Sequence, residues 1–237
     1  MSIQGLLQQL LQSGQSLAQD AGSKLNTSGQ GLGSTLGGFG GGALAGGALG
    51  MLLGNKKFRK IGGKIGAYGG AAALGAVALK AYQDWQDKNA ALPSAADGSA
   101  PPQTQPRQLQ AVAALPLPEI ELQSRVILSA MIAAAKADGH IGAEEKQIID
   151  AEVVKLTNDS ADALWFESEM EKPANPMEIA ALATTPELGA EIYLASKLVI
   201  DEESFMERAY LDELARNLKL EPGLKAELDS KLKSLAG

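Results

Sequence analysis

TPELGAEIYLASKLVIDEESFMERAYLDELA, residues 185–215, contains two helix starts and nothing that asks for a strand. Thr185 stands before Pro186, so a capping hydroxyl precedes a proline whose missing N–H costs nothing in the first turn. Ser204 and Glu207 have the spacing of a capping box, in which each side chain satisfies the other's backbone N–H. The predicted helices run over 186–200 and 204–217. Outward from this stretch the same signals recur. Asn175-Pro176 opens a helix to about residue 183, Ser160 opens one that ends before Pro173, and Pro222 opens the last, to about residue 235. On the N-terminal side, Ile120, Val126, Ile127, Ala130, Met131 and Ala134 mark a helix over 119–137 that stops at Asp138-Gly139. Ile148, Ile149, Val153 and Leu156 form the apolar side of a helix over 143–156. The expectation is an all-α bundle of about seven helices over residues 119–237, large enough for one core. Trp165, Phe166 and Phe205 are expected in that core.

The front of the chain has a different composition. Residues 1–92 carry a net charge of +5, which leaves −12 for the rest of a chain whose total is −7. Eighteen of the 27 glycines lie between Gly29 and Gly75, a density that ordinary water-soluble helices do not tolerate. Residues 92–118 hold six of the ten prolines and read as a disordered linker that lets the two parts work independently. The predicted organisation is a short amphipathic segment (1–28, with Ile3, Leu6, Leu7, Leu10 and Leu11 at helical spacing), a glycine-rich membrane-associated segment (29–88), a linker (89–118) and the acidic bundle (119–237).

Within the glycine-rich segment, Leu32 to Gly54 is an uncharged run of 23 residues, long enough as a helix to cross a bilayer core. Gly38, Gly42, Gly46, Gly50 and Gly54 recur every fourth residue, as do Gly62, Gly66 and Gly70 in a second candidate span, Ile61 to Tyr82. Such spacing clears one helix stripe for the close approach of another backbone, a zipper suited to lipid or to self-association. Lys80, Tyr82 and Trp85 would sit at the headgroups, and Asn55 to Lys60 would form the turn between the spans. Charge alone leaves the side of the membrane that holds the bundle open.

Composition excludes several chemistries. The chain has no cysteine and one histidine, so disulfide frameworks, thiolate nucleophiles and multi-histidine metal sites are absent. The negative net charge argues against a nucleic-acid partner that depends on net basicity. What remains is carboxylate. Residues 134–145 overlay the second half of a calcium-binding loop, with Asp138, Gly139, Ile141 and Glu145 at its fifth, sixth, eighth and twelfth positions; Ala134 and Lys136 stand where its first carboxylates belong. Asp201 to Glu207 repeats the spacing of Asp138 to Glu144, so stacking of the two helix pairs around a pseudo-twofold axis would bring Asp138, Glu144 and Glu145 to face Asp201, Glu203 and Glu207 across a pocket suited to a hard divalent cation such as calcium or magnesium. The competing reading makes these acids helix caps that offset the macrodipole. His140 reads as a solvated loop residue.

Two motifs, AKADGHIGAEE at 135–145 and ASKLVIDEESFMERAYLDELA at 195–215, resemble the tellurite-resistance TerB-like family. With the glycine-rich front half, the whole chain resembles the YebE-like bacterial inner-membrane proteins, a family of unknown function. The resemblance implies a TerB-like helical domain tethered to the inner membrane, with Asp138, Glu144, Glu145, Asp201 and Glu207 as metal-binding positions. The second motif has Glu202-Glu203 after Asp201 in place of Asp-Gly. Tellurium chemistry would call for thiols, which the chain lacks. The function expected is a non-catalytic, membrane-tethered interaction or sensing module of the bacterial envelope, in contact with lipid and a protein partner. The alternatives are a membrane-active glycine-zipper oligomer and a metal-dependent hydrolase.

Overall fold

The computed structural model describes residues 3–8, 71–90, 117–139, 149, 153, 159–200 and 204–236. Every regular element among them is an α-helix: α1 (Ala71–Ala90), α2 (Leu117–Ala135), α3 (Ser160–Glu171), α4 (Pro176–Ala180), α5 (Pro186–Val199), α6 (Phe205–Asn217) and α7 (Pro222–Ala236), with a further helical stretch at 3–8. Ile149 and Val153, both expected on the apolar side of the 143–156 helix, are helical and buried. The rest of that helix, His140, the run 32–54 and the zipper positions Gly38, Gly42, Gly46, Gly50, Gly54, Gly62, Gly66 and Gly70 lie outside the described residues.

The caps form as the local sequence dictates. Asp159, Asn175, Thr185 and Ser204 each accept a backbone N–H from the first turn of the helix they open, and the Ser204–Glu207 box is complete. The C-terminus of α6 closes differently. Leu220 N–H donates to the Ala215 carbonyl and Lys219 N–H to that of Arg216, while Lys219 takes a φ of 54°. This pairing is a Schellman stop with lysine at the left-handed position that glycine normally fills. Lys219→Gly is therefore expected to stabilise the protein by about 1 kcal/mol, because only a side-chain carbon pays the left-handed penalty. An unchanged or lowered urea midpoint would refute this.

The core is organised around α5. Every residue from Gly189 to Ile200 is buried, so this helix is enclosed by its neighbours α1, α2, α6 and α7. Gln123 reaches Glu191 and the Ala130 carbonyl reaches Ser196, so α2 and α5 run in the same direction. On the other side, Asp84 meets Lys231 and Lys88 meets Glu227, so α1 and α7 run antiparallel.

The position of α1 corrects the second candidate span. Residues 71–82 lie in α1, whose buried stripe of Leu74, Gly75, Ala78 and Ala81 packs on α5 and α7. Small residues at helical spacing admit a close helix neighbour in a water-soluble core as readily as in lipid. Tyr82 and Trp85 are likewise spent within the protein, while Lys80 stays exposed. Tyr82 and Trp85 pack against the core and each other, with ring centroids 5.7 Å apart. No helix among the described residues is long and apolar enough to cross a membrane. α1 precedes the predicted linker and is docked on helices that follow it.

Phe205 is a second correction, being 75% exposed where a core position was expected. The buried face of α6 is Tyr210, Leu211, Leu214 and Ala215. Phe205 precedes Leu214 by nine residues, which at about 100° per residue places it on the opposite side of the helix.

Candidate functional site

The two acidic junctions were the predicted centre of chemistry. Of the five proposed metal ligands, Asp138 and Glu207 are described, and Glu144, Glu145 and Asp201 lie outside the described residues. Asp138 sits half-buried in the turn that follows α2, and Gly139 closes that turn with a φ of 78°. Glu207 serves the cap: the Ser204 N–H donates to its Oε2 at 3.0 Å, and its own N–H donates to Ser204 Oγ at 3.0 Å. Among the described residues no three metal-ligating side chains gather around one point. The described donors thus do not make a metal centre, and one Glu207 oxygen is already committed to a backbone amide.

Lys136, which stands where a calcium loop needs a carboxylate, has a structural task. Its Nζ donates to the carbonyls of Glu169 at 2.9 Å, Met170 at 3.0 Å and Lys172 at 2.5 Å, closing the C-terminal end of α3. An ammonium there satisfies orphan carbonyls and complements the negative end of the helix dipole. Lys136 therefore braces α2 against α3. Glu207→Gln distinguishes cap from ligand at the second junction. An amide oxygen still accepts a hydrogen bond but loses the charge, so the expected loss is about 0.5–1 kcal/mol of stability, the same with and without calcium or magnesium. A larger loss in the presence of either ion would support coordination.

Three other polar assemblies tie elements together, and sequence periodicity identified none of them. The first joins the N-terminal stretch to the bundle. The N–H groups of Ile3 and Gln4 donate to Glu121 Oε1 at 2.8 Å and Oε2 at 3.3 Å, while Ile3, Leu6 and Leu7 are fully buried. Arg125, one turn beyond Glu121, donates to Asp162 of α3 at 2.6 Å and lies 4.9 Å from the centre of the Trp165 ring. A carboxylate against free helical N–H groups is the arrangement expected at a helix start.

The second assembly holds α1. Lys231 donates to Asp84 and Lys88 to Glu227, each at 2.5 Å, and Lys231 lies 3.5 Å from Glu227. The hydrogen bond from Lys231 holds the Asp84 carboxyl below its usual range, that from Lys88 does the same for Glu227, and Asp84 in turn raises Lys231. Trp85 packs over Gly223, where a Cβ would meet the indole Nε1 at 2.8 Å. The absence of a side chain at residue 223 is what lets the indole lie against the start of α7.

The third is buried along α5. Gln123 donates to Glu191 at 2.5 Å, and burial, the largest cause, pushes the Glu191 carboxyl up to about 7; the Gln123 bond opposes this and the Glu187 charge adds to it. On another face, the Tyr193 hydroxyl donates to Asp229 at 3.0 Å, and Lys197 pairs with the same oxygen at 3.0 Å. Lys197 and Lys225 lie 5.9 and 5.8 Å from the Tyr193 ring centre. These bonds cross between helices, so the buried polar side chains Glu191, Tyr193, Ser196 and Lys197 of the core helix each meet a partner on α2 or α7, as most buried polar groups do.

Residues 38–232 match the family described as a protein of unknown function (DUF533), the family of the YebE-like proteins. The chain belongs to the DUF533 family. A DUF533-related sequence therefore accounts for most of the glycine-rich front as well as the bundle. The chain is also similar to an "Uncharacterized protein in ampR 5'region" of Yersinia enterocolitica, 28% identical over 120 residues that make up 49% of this chain and 86% of that protein. No solved structure matches.

Proposed function

We propose that this DUF533 protein is a non-catalytic interaction module of the bacterial inner membrane, in which a TerB-like helical body is coupled to a membrane-contacting glycine-rich run. The observation that carries this reading is the docking of α1. The helix begins where the glycine-rich sequence ends and is held on α5 and α7 by Leu74, Ala78, Ala81, Trp85 and two ion pairs. Whatever the run contacts is thereby linked mechanically to the bundle. The polar side chains described above link helices to one another, which suits a scaffold. Phe205 and Met206 at the start of α6, and Met177 on the neighbouring α4, offer large exposed apolar side chains to a protein partner. A divalent ion at the acidic junctions is a subsidiary part of the proposal, limited by the role of Glu207 as a cap.

The test is fractionation of cells producing the full chain beside a variant lacking residues 29–70, which keeps all of α1. The full chain is expected with the membranes, and the deleted chain in the soluble fraction with its helical circular dichroism intact. Pelleting of the deleted chain with urea-washed membranes would overturn the proposal.

A further inference from the structure

Residues 3–8 sit on the bundle in the way a bound peptide does. Ile3, Leu6 and Leu7 stand at i, i+3 and i+4, all three with no exposed surface, while Gln8 stays exposed. Ile3 and Gln4 meet Glu121 across 118 and 117 positions of chain, so tertiary contact alone puts the stretch in place. Gly5 in its middle weakens its helix propensity, and an isolated helix shorter than about 12–15 residues is marginal in water. The stretch is therefore helical because the bundle holds it. Three aliphatic side chains and two N–H bonds, set against the ordering of the backbone they fix, leave a near balance that keeps the docking reversible.

The receiving side is organised without help from the stretch. Arg125 lies 3.8 Å from Glu121 Oε1, donates to the buried Asp162 of α3 at 2.6 Å, and lies 4.9 Å from the centre of the Trp165 ring. All of these contacts lie within α2 and α3, so the Glu121 carboxylate keeps its orientation when residues 3–8 depart. A carboxylate aimed at the first N–H groups of a helix, beside enclosed room for three aliphatic side chains, sets both the direction and the register of what it binds.

We infer that the bundle carries, beside Glu121, a receptor groove for an amphipathic helix with aliphatic side chains at i, i+3 and i+4, filled in the resting chain by residues 3–8 and open to a partner protein that presents the same pattern at a helix start. The occupant is defined by residues 3–8 themselves, which supply the pattern the groove accepts. The inference does not depend on the membrane reading.

The test uses the full chain carrying Leu6→Asp and Leu7→Asp, which bars its own segment from the groove, and a fluorescent peptide of residues 1–12. Anisotropy is expected to show saturable binding, absent for a peptide with the same two aspartates. Adding Glu121→Gln to the chain is expected to weaken binding by roughly tenfold, because the two N–H bonds lose their charged acceptor. The unsubstituted chain is expected to bind the peptide roughly a hundredfold more weakly, since its own segment competes as a tethered ligand. Glu121→Gln alone leaves every apolar side chain in place, and is expected to speed hydrogen exchange in residues 3–8 while the amides of α5 keep their protection. Loss of helical circular dichroism in the double-aspartate chain would overturn the inference by making the stretch an integral part of the core. A folded double-aspartate chain that binds no peptide would overturn it as well, and so would unchanged exchange of residues 3–8 in Glu121→Gln. Sedimentation of the double-aspartate chain mixed with unsubstituted chain is expected to show no mixed complex; one that forms would overturn the partner assignment and give the groove to a second copy.

Discussion

A chain cut to residues 117–237 is expected to lose most of its stability, even though those residues span the whole acidic bundle as composition delimits it. The cut removes Ile3, Leu6, Leu7, Leu74, Ala78 and Ala81, each buried to within 1% of its surface, together with the packing of Tyr82 and Trp85. Full burial of one large aliphatic side chain contributes about 1.5–3 kcal/mol, and a domain is stable by only about 5–15 kcal/mol. Leu224, Leu228 and Leu232 of α7 and much of α5 would then face water, an apolar groove of the kind that drives self-association. Urea unfolding and sedimentation of the two chains check this. Equal midpoints, with the short chain monomeric, would show that α1 and the N-terminal stretch contribute nothing to the fold.

The second large effect depends on pH. The folded Glu191 carboxyl titrates at about 7 against 4.5 for the free side chain. Between those values the unfolded chain releases this proton while the folded protein keeps it, so stability falls as pH rises through the window. Above it both states are ionised, and the full penalty, about 3 kcal/mol for a shift of this size, is in place. Glu191→Gln keeps an oxygen for Gln123 to donate to and removes the charge. It is expected to stabilise the protein by up to about 3 kcal/mol at pH 8, with the gain vanishing near pH 4. Denaturant titrations of both proteins at the two pH values measure it, and a gain that does not depend on pH would refute the assignment. Asp84 and Glu227 act in the opposite sense, their depressed carboxyls favouring the fold at neutral pH and less as acid is added. Lys88, the main partner of Glu227, is 66% exposed, and solvent screening keeps the share of such rim pairs small.

Helix starts were legible because they are local. Asn175-Pro176, Thr185-Pro186 and Ser204-x-x-Glu207 carry their capping partners within four residues, and all three open helices in the structure. Contacts across the chain were not legible. Glu121 meets residues separated from it by 117 and 118 positions, and Lys231 meets Asp84 across 147. No periodicity predicts such pairs. That residues 71–82, the second half of the candidate span, pack within the bundle was missed for a specific reason. An alanine- and glycine-lined stripe is equally suited to a lipid-embedded neighbour and to a leucine-rich helix such as α7, and only the partner tells them apart. Asp84 and Asp87, which sat awkwardly beside a membrane span, were the available clue. At the candidate site, Lys136 interrupting the calcium-like pattern was a sign that the loop does other work, although its bonds to α3 needed coordinates to find.

The partner that fastens α1 is made long after it, with 147 positions between Asp84 and Lys231. During synthesis Asp84 and Lys88 emerge long before Glu227 and Lys231 exist, and at 5–20 residues per second the interval is on the order of 10 s. Throughout that interval the apolar stripe of α1 lacks its α7 partner. Nascent-chain events therefore precede the final latch, and α7 closes on α1 only after its own residues have left the ribosome.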